Sequence, residues 1–515
     1  MFLTRRSFVA SAIATLWVGV PAIVTITNTS LRADPVAAVD IGSRLELLVD
    51  DYLIESLSGG ARQELHHPAP QEVSLRTDQP WEGNYVCWVT VFQDGDLYRM
   101  YYLSGNGLYT EGGIKDTKLV YCYAESRDGL HWVRPKLGLF EHNGTKDNNI
   151  VWDGPMALNF SPFRDESPNC APDARYKAMG MTGTGTGWPD GMIPCKSSDG
   201  IHWSAMLDKP VITKGTFDSC NLAFWDAARG EYREYHRDFN GSDRDIRTST
   251  SKDFLAWTEP QFLEYAPSRV SELYTNMVLP YYRAPHLLLG FPTRYIDRGW
   301  TKSTEALPQL EHRRIRAKSG VREGSALTDG MFMSSRDGNR FHVWPESFIR
   351  PGLRNEDGWF YGDNYQNWGL VETKSEIPGA PKEISIYVNE GVTQNHPACL
   401  RRHTLRVDGF VSVSSPLSGG ELVTKPIRFR GDRLLLNYST SAAGSIRIEI
   451  QDENGQPIPG FGLNDSPEMY GDSLEQTAPW KEGSNLAQLA GKSIRLRFVL
   501  KDADLYAIRF QPSGN

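Results

Sequence analysis

The sequence predicts an all-β chain, a five-bladed β-propeller followed by a C-terminal β-sandwich, and three observations carry that expectation. A turn motif recurs along most of the chain, a second motif precedes it in successive repeats, and the pattern changes to plain alternation near the C-terminus. Helix-length amphipathic stretches are almost absent.

The turn is the clearest signal. Ser126-Arg127-Asp128-Gly129-Leu130-His131-Trp132 returns as Ser197-Ser198-Asp199-Gly200-Ile201-His202-Trp203. Degenerate copies follow at Ser251-Lys252-Asp253-Phe254-Leu255-Ala256-Trp257 and at Ser335-Arg336-Asp337-Gly338, the latter with Trp344 a few residues on, and Val407-Asp408-Gly409-Phe410 reads as a fifth. The intervals between these serines are those of loop-decorated propeller blades. Asp-Gly turns a tight hairpin because Gly tolerates positive φ, and the Trp is expected to pack the outer strand onto the neighbouring blade.

The second motif places Leu97-Tyr98-Arg99, Arg175-Tyr176-Lys177 and Glu231-Tyr232-Arg233 at strand openings just after a turn. Each unit begins with an apolar strand, as at 85–92, 222–225 and 277–282, so the repeat is a whole blade. The last unit runs from Trp368-Gly369-Leu370 through 384–388 to 405–413, and the early strand 45–54 is expected to complete it, since a ring needs closure between its ends. The propeller is assigned to 39–413, with the five units between 81 and 413. Beyond the Ser/Pro/Gly linker at 414–420, Ile446-Arg447-Ile448-Glu449-Ile450 and Ile494-Arg495-Leu496-Arg497-Phe498 alternate as strands with one buried face. Residues 421–515 are therefore expected to form the sandwich.

Composition narrows the function. A net charge of -8 with no long basic run argues against nucleic acid and anionic membranes as partners, while 22 Tyr and 14 Trp suit flat, stackable surfaces for a neutral or small polar ligand. The N-terminus, Thr4-Arg5-Arg6-Ser7-Phe8-Val9 followed by an apolar stretch at 10–24 and small residues at Val36-Ala37-Ala38, reads as a twin-arginine export signal over 1–38. The mature protein is then expected in the periplasm or secreted, without a membrane partner once the signal is removed. Cys87, Cys122, Cys170, Cys195, Cys220 and Cys399 form no C-x-x-C pair and read mostly as buried strand residues, with a disulfide such as Cys87–Cys122 left open.

Five blades with a C-terminal sandwich resemble the invertase, levanase and arabinanase clan of glycoside hydrolases, families 32 and 43, in an uncharacterised exported bacterial branch. Phe163-Arg164-Asp165-Glu166 looks like the Arg-Asp-Pro element of invertases, with Glu in place of Pro. The Asn-Asp-Pro-Asn element is missing, its nearest counterpart being Trp81-Glu82-Gly83-Asn84, and so is the Glu-Cys element. Gly290-Phe291-Pro292-Thr293-Arg294-Tyr295 and the sandwich segment at 497–506 are similar to the exported branch. The resemblance implies cleavage of glycosidic bonds in a poly- or oligosaccharide by paired carboxylates.

Glycoside cleavage needs one carboxylic acid to protonate the leaving oxygen and one carboxylate as nucleophile or base. In a propeller such groups belong near the starts of the innermost strands. The candidates are Glu82, Asp165, Asp218 and Glu272, with Glu272 the expected general acid beside the apolar strand 277–282, Glu82 the nucleophile or base, and Asp165 or Asp218 orienting the sugar. Trp81, Arg164, Arg294, Tyr295 and Trp359 are candidates to stack on sugar faces or bind hydroxyls. Asp128, Asp199, Asp253 and Asp337 recur within the turn and read as structural. Gly183-Thr184-Gly185-Thr186-Gly187 lacks the Lys of a phosphate loop, and the scattered His lack a zinc motif, so no cofactor and no catalytic metal are expected, with a structural calcium left open. Two other readings stand beside the glycosidase: a non-catalytic carbohydrate-binding propeller, and a sialidase-like enzyme whose Asp-box the turn resembles.

Overall fold

The computed structural model describes residues 37–116, 118–154, 159–183, 189–269, 271–355, 357–481 and 484–513. The twin-arginine segment and residues 184–187 of the glycine run lie outside them.

The chain is all-β with a propeller-like arrangement in which four sheets share one antiparallel order. The first holds Tyr85–Asp94, Leu97–Gly105, Val120–Ser126 and Ile150–Trp152, and the second Ser161–Arg164, Tyr176–Gly183, Pro189–Ser197 and Ser204–Ala205. The third holds Leu222–Asp226, Glu231–Asn240, Asp243–Ser251 and Gln261–Phe262. The last is built from Val371–Thr373, Glu383–Glu390 and Cys399–Leu405, with Ala69–Arg76 as its fourth strand. Between the third and last sheets in sequence comes a seven-stranded sheet centred on Ala284–Gly290, Ala326–Ser335 and Arg340–Ile349.

The repeated turn has one geometry at four places. In the first copy the Ser126 hydroxyl accepts the Gly129 N–H at 2.9 Å, and one Asp128 oxygen accepts the N–H groups of Leu130 and His131 at 2.8 and 2.9 Å. Ser197 with Asp199, Ser251 with Asp253 and Ser335 with Asp337 repeat every bond. These backbone bonds outweigh partial burial and hold the four carboxyls below their ordinary range. Gly200 takes φ 79°, and in the third copy Phe254 takes φ 70°, a left-handed conformation held by a fully buried ring. Val407–Phe410 is not a fifth copy. There Asp408 itself has φ 63°, and its carboxylate is bound by Tyr281 and Asn437.

The turns also join the sheets. Tyr101 of the first sheet donates to the Gly200 carbonyl of the second at 2.9 Å, Tyr235 of the third to Gly338 of the seven-stranded sheet at 2.8 Å, and Tyr387 of the last to Gly129 of the first. Trp132 packs edge-on against Tyr387 and Trp203 against Tyr101, so these two Trp meet the neighbouring sheet, whereas Trp257 packs on Phe254 of its own turn. The Tyr-basic motif bridges the opposite ends of the inner strands. Tyr176 donates to Asp94 and Tyr232 to Asp165, each carboxylate lying in or just past the inner strand of the preceding sheet.

Closure differs from the sequence expectation. Leu45–Leu47 pairs with Arg495–Gln511 and not with the last sheet, because Ala69–Arg76 takes that edge. Ile54–Gly59 and Arg62–Leu65 likewise pair with Gly420–Thr424 and Val411–Ser415. These strands enclose a second core, with Ile446, Ile448, Ile450, Leu496 and Phe498 on its inner face. All six cysteines are free, so the Cys87–Cys122 bridge is not formed. Among the described residues no helix is long and apolar enough to cross a membrane.

Candidate active site

The inner strands begin at one end of the ring, where a narrow cleft is walled by Tyr85, Trp88, Tyr109, Tyr274, Tyr361 and Tyr365. Four of these rings are in mutual contact, with Tyr274 5.7 Å from Tyr361, 5.8 Å from Tyr365 and 6.0 Å from Trp88. Two insertions meet over this end. The hairpin Gly107–Thr110 and Gly113–Asp116 follows the second strand of the first sheet, and the helix Leu310–Ser319 is inserted in the seven-stranded sheet. They are joined by Tyr109 against His312 and by Arg316 over Tyr109 at 4.8 Å. Tyr109 donates to Glu323 at 3.1 Å. Sequence periodicity misses this helix because its buried face is His312, Arg313 and Arg316 in place of an apolar stripe.

Asp218 is presented by its neighbours. Phe217 is buried against His236, Ser219 is buried and donates to the Tyr274 carbonyl at 2.6 Å, and the side chain between them points into the open. It is 58% exposed, yet burial among the crowded walls raises its proton affinity, and this outweighs the opposing pull of Arg237 and Arg244. Arg237, only 3% exposed, has its Nη2 3.6 Å from an Asp218 oxygen and its Cζ 5.5 Å from the Tyr274 ring centre.

Glu272 is the opposite case. Burial alone would raise its pKa, but Arg322 at 2.5 Å and Arg244 at 2.7 Å donate to its two oxygens and hold the carboxyl below the usual range. This corrects its expected role as general acid, since it stays ionised. Tyr295 pairs with Glu272 across two strands and carries the Arg244 and Arg322 guanidiniums at 4.3 and 4.4 Å from its ring centre. Burial pushes its phenol up to about 12.

The other two carboxylates are elsewhere and fully engaged. Glu82 is buried beneath the first and last sheets, where Tyr102 donates at 2.5 Å and Arg134 at 2.7 and 3.0 Å. Burial raises its pKa, but no open surface reaches it, so the structure does not bring it to the cleft as nucleophile. Asp165 lies past the end of its inner strand, away from the strand starts, bound by Lys177, by Tyr232 at 2.7 Å and by Ser167. These bonds overcome its burial and keep it ionised. It is a sheet-to-sheet clamp and not a sugar-orienting group.

Of the expected binding side chains, only Tyr295 is in this cluster. Trp81 donates to Asn149 at 2.6 Å and packs between sheets. Arg164 lies 3.3 Å from Asp94 at the strand ends, beside a larger cavity of about 420 Å³. Arg294 is spent on a two-pronged pair with Asp329 at 2.6 and 2.9 Å. Trp359 donates to the Gly352 carbonyl at 3.2 Å in a surface loop. Sequence reasoning missed Tyr274, Arg237, Arg244 and Arg322, although Tyr274 stands two residues from Glu272, just past the strand Glu272–Leu273. It also missed Asp363, fully buried beneath the cleft wall, which accepts N–H bonds from Val392 and Gly358 and is pushed up to about 7 by burial. Among the described residues no group of three or more His, Cys, Asp or Glu side chains could hold a metal ion.

No family model matches the sequence, and no curated protein matches it. Solved structures with a similar course are mostly glycoside hydrolases. One described only as a glycoside hydrolase is 15% identical, with 66% of this chain and 92% of that one covered and a TM-score of 0.41. A family 43 arabinoxylan arabinofuranohydrolase from Bacillus subtilis is 11% identical, with 87% and 99% covered and a TM-score of 0.39. An N-acetylgalactosamine deacetylase from F. plautii is 12% identical, with 87% and 95% covered and a TM-score of 0.36.

Proposed function

We propose that this chain is an exported glycosidase that cleaves a poly- or oligosaccharide at the strand-start end of its ring, with Asp218 as general acid. We read the seven-stranded sheet as the fourth of five blades, and the strands around the second core as a β-sandwich. The observation that carries the function is Asp218 itself: a solvent-exposed carboxyl whose protonated form is favoured, placed beside the aromatic cleft by Ser219, which binds the carbonyl of its wall residue Tyr274. Glu272, held ionised by two arginines, supplies the second carboxylate. In this reading Asp218 gives its proton to the leaving glycosidic oxygen while Glu272 stabilises the developing positive charge or activates water.

The test begins with the mature protein and a panel of polysaccharides. Once a substrate is found, Asp218→Asn is expected to lower turnover by about two to four orders of magnitude with the unfolding midpoint unchanged. Full activity in that variant would remove Asp218 from the chemistry. The engagement of Glu82 and Asp165 in structural clusters favours a second reading, a carbohydrate-binding ring without catalysis, and binding with no turnover in the unmodified protein would select it. Export through the twin-arginine route is tested by changing Arg5 and Arg6 together to Lys, which should block translocation.

A further inference from the structure

We propose that the sugar bound beside Asp218 carries an oxyanion, a ring carboxylate or a sulfate ester, and that Arg237 receives it. The inference rests on the glycan-binding reading above and names the substrate class.

Its basis is a set of guanidinium groups with too few partners. Arg237 is almost wholly buried, yet its Nε and Nη2 have no hydrogen-bond partner. The nearest carboxylate oxygen, at 3.6 Å, is beyond hydrogen-bond length, and it belongs to Asp218, which is neutral in its acid role. Arg244 and Arg322 share Glu272, and Arg322 also has an Asp297 oxygen 3.7 Å from its Nε. Arg316, which lines the cleft, donates to the Tyr361 carbonyl at 2.7 Å but leaves Nε and Nη1 without partners, and its nearest carboxylate, Glu323, is 3.8 Å away.

With Asp218 protonated as the acid, four arginines, Arg237, Arg244, Arg316 and Arg322, meet three carboxylates, Glu272, Glu323 and Asp297, at this end of a molecule whose net charge is -8. A buried guanidinium without bonds is costly, and a sugar hydroxyl would supply an acceptor without a counter-charge. A carboxylate or sulfate supplies both, and its paired oxygens match the planar fork of an arginine. Arg237 is stacked on Tyr274, so an anion at its free edge would sit on a ring whose aromatic neighbours face the same cleft.

The experiment measures binding of the unmodified mature protein to oligosaccharides of galacturonate, glucuronate and guluronate, each beside its methyl ester, and to sulfated and neutral galactan oligosaccharides. The ester keeps the ring and removes the charge. At least one acidic or sulfated oligosaccharide is expected to bind about 10- to 100-fold more tightly than its uncharged counterpart. Preference for the sulfated member alone keeps the oxyanion and identifies its source. Arg237→Gln should bring that ratio close to one. Because Arg237 is buried, the ester comparison on unmodified protein stands on its own should the variant fail to fold. Equal or tighter binding of the neutral sugars and esters overturns the anion inference and leaves the glycan reading intact, whereas no binding to any member overturns both.

Discussion

Asp218 and Glu272 are separated in proton affinity by what surrounds them, not by residue type. Glu272 loses its proton early because two guanidiniums hold it, and Asp218 keeps its proton late because burial dominates. Activity is accordingly expected to rise as Glu272 ionises and to fall as pH climbs through the raised pKa of Asp218. A pH profile of kcat/KM would show this, with a basic limb above the ordinary carboxylate range. Asp363 gives a stability counterpart. Its folded pKa of about 7 lies above the ordinary aspartate value of 3.8, so the folded state binds the proton more tightly. This group's stabilisation is complete below the unfolded pKa and is lost as pH rises towards about 7. The parent should therefore lose stability between pH 4 and pH 8, and Asp363→Asn should show less of that fall while being less stable near pH 4, because its amide nitrogen cannot accept the N–H of Val392 or Gly358, as measured by urea unfolding at both. At this scale Asp218 and Tyr295 stand out in the sequence because acids and aromatics near strand starts are easily noticed. Asp165 misled, although Asp94 and Asp226 stand at matching places and pair with Arg99 and Arg233 as Asp165 pairs with Lys177. The recurrence that marks Asp128 and Asp199 as structural applied to it as well. Arg237 and Arg244 were illegible because a charged residue on a strand ordinarily reads as its solvated face.

Among the elements, the repeated turn is where sequence and structure agree most closely, since its bonds run between side chain and backbone within five residues. Asp199→Ala would strip two N–H groups of their acceptor and should cost about 1–3 kcal/mol, read as a fall in unfolding midpoint. The Phe254 copy tests which of two terms governs. Phe254→Gly relieves a left-handed backbone by about 1 kcal/mol but empties a site packed between Phe163, Tyr232 and Trp257, worth about 3–5 kcal/mol for a buried Phe. The variant is expected to be less stable, and a more stable one would place the strain above the packing. The helix Leu310–Ser319 was illegible for a reason particular to it. Arg313 and Arg316 fill its inward face, and Arg313 is satisfied by the carbonyls of Pro308 and Trp359, so polar bonding replaces the apolar stripe that periodicity detects.

At the scale of the molecule, the sheet repeat was legible from its turns, but the closure of the ring was not, because strand partners far apart in sequence leave no local pattern. Short alternating strands such as 45–47 and 69–76 suit either edge, and only packing decides between them. Closure depends on backbone contact: the Trp368 N–H donates to the Val89 carbonyl at 2.9 Å and the Val91 N–H to the Trp368 carbonyl at 2.8 Å, and a Cβ at Gly369 would lie 1.9 Å from the Val91 carbonyl oxygen. Gly369→Ala is expected to cost on the order of 3–5 kcal/mol, with the ring opening at that seam in hydrogen exchange before the others. The pairing of Ala69–Arg76 with Cys399–Leu405 has one more effect. It makes the ring a band without ends, so its integrity does not depend on an unbroken polypeptide. A protease site inserted between the exposed residues Leu207 and Asp208, in the loop joining the second and third sheets, should yield two fragments in denaturing gels and one particle of undiminished mass in native mass spectrometry.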